Sequence, residues 1–96
     1  MHKALLLLRE VPKGKVVSYK ELAIMCKTSP RAIGRIMKYN KDPASCPCYK
    51  VVGSGGKLVG YSGKGGLKTK RKLLERDGIK FVNGKVDKRC FYEFKR

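Results

Sequence analysis

The chain has 96 residues, with 24 lysines and arginines against 7 acidic residues and a net charge of +17. That length suits one domain, expected to run over residues 1–96 with a modest core. The charge is carried by every segment, which excludes a basic tail attached to a neutral body.

A folded domain of this sign points to a polyanion. Nucleic acid is favoured over an anionic membrane surface, because no long basic amphipathic helix with aromatic anchors is present.

From the N-terminus, "HKALLLLREV" (2–11) reads as a short buried helix, ended by "PKG" (12–14). Its apolar run, 4–8, is too short to span a bilayer and no small-residue cleavage pattern follows, so an intracellular location is expected. "KVVS" (15–18) can be a short extended piece. Ser18, with Glu21 three residues on, has the capping-box pattern and predicts a helix over about 19–26. "KTSP" (27–30) breaks it. Ser29 then serves as N-cap and Pro30 as the first residue of a third helix, "PRAIGRIMKY". That helix puts Ile33, Ile36 and Met37 on one face and Arg31, Arg35 and Lys38 on another. Asn40 suits a left-handed residue at its end. Two short helices joined by a tight turn, the second basic, fit a helix-turn-helix over about 19–39. The competing structure is a small helical bundle with a solvated basic face.

After Asn40 the chain turns glycine-rich. "YKVV" (49–52) and "KLVGY" (57–61) predict a short β pair around "GSGG" (53–56). "GLKTKRKLLERDG" (66–78) is a basic helix, expected over about 67–76 and ending at Gly78. "IKFVNGKVDK" (79–88) is a hairpin around Asn83-Gly84. The expected fold is mainly α within the α+β class: a winged-helix-like helix-turn-helix domain with a short β pair and a C-terminal hairpin.

Four cysteines, Cys26, Cys46, Cys48 and Cys90, are expected to be reduced thiols in an intracellular protein. Cys46 and Cys48 flank Pro47. A structural zinc site needs four ligands in paired spacings, whereas Cys26, Cys90 and His2 are isolated, so no metal is expected. A redox pair needs C-x-x-C in a βαβ setting. Two readings stay open on the residues alone. The cysteines are small buried hydrophobes, or one is a reactive thiol activated by the surrounding cations.

The stretch from about Leu5 to Gly78 resembles the C-terminal, active domain of the 6-O-alkylguanine-DNA alkyltransferases, the methylated-DNA–protein-cysteine methyltransferases. "VPKGKVVSYKELA" is similar to the first half of that family's helix-turn-helix, and "SPRAIGRIMKYN" to its recognition helix with the R-A-V-G core. "PCYKVVGSGGKLVGYSG" resembles its P-C-H-R-V signature and G-Y-S-G loop, so an active-site loop is expected over 45–63. "KTKRKLLERDG" resembles its last helix.

The resemblance implies that Cys48 accepts an alkyl group and that Arg31, within the matching Arg31-Ala32-Ile33-Gly34-Arg35 core, fills the gap left by a flipped base. Tyr19 would push the 3′ phosphate, and Asn40 would brace the active-site turn. Val51, Tyr61 and Ser62 would line the guanine pocket. Two positions depart from the pattern: Tyr49 stands where the family has the histidine that takes the thiol proton, and Asp77 where it has the glutamate that orients that histidine. A phenol, with a reference pKa of about 10, is a poor base near neutrality. Activation of the thiol then falls to the positive field of the domain and to a helix N-terminus.

The implied function is a cofactor-free, single-turnover repair protein, monomeric, that binds double-stranded DNA through the minor groove, flips an alkylated guanine and moves the alkyl group to Cys48. The alternatives are a non-catalytic lesion sensor that recruits other repair proteins and a relative acting on deaminated bases.

Overall fold

A computed structural model describes residues 2–40, 46–58 and 66–94. Helix α1 spans Lys3–Leu8 and turns Ala4, Leu7 and Leu8 into the core, a three- and four-residue spacing that makes one helical face. Strand β1 (Val17–Ser18) runs straight into helix α2 (Tyr19–Cys26). Ser18 Oγ accepts the Glu21 N–H at 3.0 Å, the cap expected from the sequence. Helix α2 ends at Lys27, whose φ of 55° is left-handed. Thr28 N–H reaches the Ala23 carbonyl at 2.9 Å and Lys27 N–H the Ile24 carbonyl at 3.2 Å, which closes a Schellman turn. Helix α3 (Pro30–Lys38) starts at Ser29, whose Oγ accepts the Ala32 N–H at 3.1 Å. It buries Ile33 and Met37 and leaves Arg31, Arg35 and Lys38 exposed.

Asn40 is not left-handed, contrary to expectation. Tyr39 closes α3 at φ −97° and ψ 13°, and the described non-glycine residues with positive φ are Lys27 and Asn83. The Asn40 side chain is used instead as an anchor: Nδ2 donates to the Cys46 carbonyl at 2.8 Å. That bond redirects the chain without a left-handed cap.

The β pair also differs from expectation. Strand β2 (Val51–Val52) pairs in parallel with β1, in the register Val17 to Val51 and Ser18 to Val52. Residues 54–56 form a 3-10 turn, and Lys57 and Leu58 are not in a strand; residues 59–61 lie outside the described residues. The reason is burial on both faces. Val17 and Val51 pack in a core with Leu8, Leu22, Ile33 and Met37. Their neighbours Val16 and Val52 pack in a second core with Leu74, Ile79 and Val86.

Helix α4 (Gly66–Arg76) ends in a second Schellman turn. Ile79 N–H bonds the Leu74 carbonyl and Gly78 N–H the Glu75 carbonyl, both at 3.0 Å, with Gly78 at φ 88°. Strands β3 (Phe81–Val82) and β4 (Lys85–Val86) form the expected antiparallel hairpin, with Asn83 and Gly84 at φ 54° and 77°. The chain then returns to β1. Val16 N–H donates to the Cys90 carbonyl and Tyr92 N–H to the Val16 carbonyl, each at 2.8 Å, and Phe94 enters the first core.

The hairpin docks on Gly56, which has φ 89° and where a Cβ would stand 2.6 Å from the Val86 carbonyl oxygen. Gly55 is also left-handed, at φ 69°, but faces open space. We predict that Gly55→Ala costs about 1 kcal/mol of conformational energy. Gly56→Ala should cost roughly 2 kcal/mol more, because backbone must move. Urea unfolding of the two variants checks this; equal midpoints would show that the hairpin does not dock on this glycine.

Candidate functional site

The two cysteines of the central motif have different environments because of the residue between them. Cys48 N–H donates to the Cys46 carbonyl at 2.8 Å across Pro47, whose φ is −73° and ψ 79°. This is an inverse γ-turn, and the proline ring already holds the φ it needs. Cys46 is fully buried, while Cys48 is half-buried on the edge of the first core. The Cys46 carbonyl accepts a second bond from Asn40, so the end of α3 fixes the turn.

Cys48 opens a 3-10 turn, Cys48–Lys50, that is only three residues long. Such a turn offers no helix N-terminus of useful strength, so that part of the expectation does not hold. Positive charge arrives from α4. Lys70 is completely buried, and its Nζ donates to the carbonyl of Val51. The same Nζ lies 5.8 Å from the centroid of the Tyr19 ring. Burial pushes Lys70 down to about 8, and negative charge on Cys48 pulls it partly back. Tyr19 is pushed up by burial and then by Cys48. Tyr19 and Cys48 pack against the same core, and the Lys70 Nζ lies over the Tyr19 ring.

Tyr49 packs against the second core. Burial, followed by the charge of Asp77, raises its phenol above the ordinary value, which makes it a still poorer base. The Asp77 carboxylate is engaged elsewhere. Its Oδ2 lies 3.2 Å from Lys50 Nζ and accepts the Gly14 N–H at 3.2 Å. Lys50 is buried as well, and its Nζ also donates to the carbonyls of Val11 at 3.2 Å and Pro12 at 3.0 Å.

A second group of side chains lies on α3. Arg31, Ala32 and Arg35 line an open cavity of about 420 Å³ with His2, Ser29 and Ile36. Gly34 faces Tyr19, with 3.9 Å between a Cβ at that position and the ring. Thus Tyr19 stands between the basic helix and Cys48. Tyr61 and Ser62 lie outside the described residues. Among the described residues no group of three His, Cys, Asp or Glu side chains could hold a metal.

Lys50 and Lys70 were not singled out in the sequence. Lys70 left a faint signal: it stands four residues before the buried Leu74 and so on the same face of α4. Lys50 left none, because one lysine among 24 basic residues is unremarkable.

The sequence profile of the 6-O-methylguanine DNA methyltransferase DNA binding domain matches residues 1–79. The chain belongs to this family. It is 43% identical over 74 residues, 77% of its length, to the methylated-DNA–protein-cysteine methyltransferase of Thermococcus sibiricus and covers 41% of that protein. Mycobacterium tuberculosis OGT, solved in complex with DNA, is 36% identical with a TM-score of 0.69; the match covers 77% of this chain and 46% of that one. S. pombe Atl1, in complex with damaged DNA containing O6-carboxymethylguanine, superimposes with a TM-score of 0.79. That match covers 95% of this chain and 92% of Atl1 at 22% identity, which is a likeness of fold. The chain spans 27% to 50% of the lengths of several relatives, which include bifunctional methyltransferase/endonucleases. No helix among the described residues is long and apolar enough to cross a membrane.

Two predictions follow from the buried groups. Asn40→Ala removes the bond from its amide to the Cys46 carbonyl, which keeps the Cys48 N–H, so a loss of at least about 1 kcal/mol is expected. Chemical denaturation reads it, and a loss near 3 kcal/mol would mean that the turn itself unravels. Lys70 is lowered in the folded state, so the unfolded chain binds more protons between about pH 8 and the ordinary lysine value of 10.5. The unfolding free energy of the wild type, less that of Lys70→Met, should therefore be flat below pH 8. It should rise by on the order of 3 kcal/mol toward pH 10.5. A flat difference across that window would show that Lys70 is not buried as a cation.

Proposed function

We propose that this chain is a single-turnover DNA alkyltransferase that binds duplex DNA, flips an alkylated guanine out of the helix and accepts its alkyl group on Cys48. The observation that carries the proposal is the setting of Cys48: a partly exposed thiol on a turn braced by Asn40 and packed against the same core as Tyr19. Family membership supports it.

In this mechanism the exposed Arg35 and Lys38 face phosphates and supply sequence-independent affinity. Approach by the minor groove suits a lesion scanner, because that groove carries a degenerate code. Arg31 occupies the space left by the extruded nucleotide, and flipping itself costs a few kcal/mol. The Cys48 thiolate attacks the alkyl carbon, a sulfur–carbon bond forms and the carbon–oxygen bond breaks. The bonding pair stays with guanine, which takes up a proton. Val51, Tyr61 and Ser62 line the base pocket. The thioether does not turn over. The chain acts as one intracellular domain, without a cofactor.

A second reading, a lesion sensor that recruits other repair proteins, is favoured by one observation: position 49 holds a tyrosine with a raised pKa where a proton acceptor would be expected.

Incubation with duplex DNA containing 6-O-methylguanine should add one methyl mass to the intact protein. Peptide mapping should place it on Cys48, Cys48→Ser should gain nothing, and Cys46→Ser should still react. Tight lesion binding without added mass would select the sensor, and mass on Cys46 would move the acceptor. Arg31→Ala should reduce the 2-aminopurine flipping signal at least tenfold. Lys85→Ala on the hairpin should leave flipping intact and lower affinity only slightly. Equal effects of the two would remove Arg31 from the finger role.

A further inference from the structure

We infer that Lys68, Lys72 and Arg76 form a second contact for a DNA phosphate backbone, on the side of α4 that faces away from Cys48, so that one molecule holds two duplex segments. The inference rests on the proposed binding of duplex DNA through α3, and it concerns three residues to which the resemblance gives no role.

The row is set by helix geometry. Lys68, Lys72 and Arg76 recur at four-residue steps along α4, and all three are exposed. Such steps put them on one side of the helix, about 6 Å apart along its axis. Lys70 fixes the direction of that side. It is buried, with its Nζ bonded to the Val51 carbonyl and 5.8 Å from the centroid of the Tyr19 ring. Lys68 and Lys72 each stand two residues from Lys70, about 160° round the helix. The row therefore points away from Tyr19 and Val51, the residues that share the first core with Cys48. Helix α3 packs on α1 and α2, whereas α4 packs on the Cys48–Lys50 turn. A duplex seated on α3 against Tyr19 leaves the α4 row open to a second one.

The row works against the helix that carries it. Like charges at four-residue spacing repel, and Lys68 in the first turn faces the positive end of the helix dipole with no acidic residue there to offset it. No described acidic side chain pairs with any of the three. The ion pair within α4, Arg71 with Glu75 at 3.7 Å, uses the neighbouring side, and Asp77 is bound to Lys50. A phosphate strand removes the repulsion. The row is about 12 Å long and spans about four phosphates, at about 3.4 Å of duplex axis each. An acidic protein surface fits less well. Protein interfaces are depleted in lysine and centre on apolar anchors, and the exposed Leu67 of α4 lies on the Arg71 side instead.

The test is capture of a second duplex. A short duplex containing 6-O-methylguanine is immobilised and saturated with the Cys48→Ser chain, which leaves the lesion unconsumed. It is then offered a labelled, unmodified duplex of the same length, and further variants are made on the same background. Affinity for the labelled duplex should fall about fortyfold between 0.05 and 0.2 M sodium chloride, the slope of three phosphate contacts. The combined variant Lys68→Gln, Lys72→Gln and Arg76→Gln, checked for folding by circular dichroism, should lose at least tenfold in that affinity. Its occupancy of the lesion duplex and its 2-aminopurine flipping signal should change less than twofold. An equal loss of charge at the exposed Arg9, Lys13 and Lys88, again to Gln, should lower second-duplex affinity less than threefold.

Capture that survives in the folded row variant would overturn the inference. So would a chain with the row intact that captures no second duplex at 0.05 M salt, and this arm needs no row variant. Equal losses in the two triple variants would overturn it in favour of net charge. Displacement of the label by polyglutamate at a lower charge concentration than by unlabelled duplex would overturn it in favour of an acidic protein surface. Loss of capture confined to the row variant, together with no flipping and no methyl transfer by wild type, would uphold the row and defeat the alkyltransferase reading.

Discussion

The buried ammonium of Lys50 ties together three segments that are distant in the sequence. It holds the Val11 and Pro12 carbonyls at the end of the first helical segment, the Asp77 carboxylate at the end of α4, and its own place in the turn that starts at Cys48. An ammonium removed from water must have its donors satisfied, and here oxygen atoms from two distant segments do so. The result is a clamp between three pieces of chain. It also commits the acid. A carboxylate neutralised by Lys50 and bonded to the Gly14 N–H serves architecture, so the group at position 49 is not oriented by a free acid.

Around this clamp the two cores are separated by one short parallel β pair. Val17 and Val51 face one way, Val16 and Val52 the other. The alternation of a strand thereby becomes a division of labour. The first core carries α1, α2 and α3 and the edge on which Cys48 sits. The second carries α4, the hairpin and Tyr49. Cys48 and Tyr49 are adjacent in sequence and belong to different halves. Lys70 crosses the division: its helix packs in the second core, while its Nζ reaches Val51 and the Tyr19 ring.

The sequence disclosed what depends on local rules. Ser18 and Ser29 as caps, Pro30 at the first helical position, Gly78 after α4 and Asn83-Gly84 in the hairpin each act within a few residues, and the structure has them where the rules put them. The strand partner of Val51 was not legible, because "YKVV" and "KLVGY" satisfy the hairpin pattern and nothing nearby names Val17 as the competitor. Asn40 was misjudged in conformation for a related reason: its backbone preference gave way to a long-range bond from its side chain. At the site, the motif located the thiol and the basic helix, while both buried lysines were hidden by the abundance of surface ones. The two cysteines differ in exposure, Cys46 buried and Cys48 half-exposed, because Pro47 reverses the chain between them.

The strand β1 has a further consequence for the kinetics of assembly. Its partners are Val51 on one side and, through Val16, Phe91 on the other, so each pairing closes a long loop. The α2–α3 pair, by contrast, joins neighbours across a three-residue turn. Loop-closure entropy favours the local contacts first and charges the distant ones against the stability of what already exists. The basic helix can thus take shape ahead of the thiol turn, which has no fixed geometry until β2 finds β1. During folding, the positive surface of the basic helix would be in place before the turn that fixes Cys48.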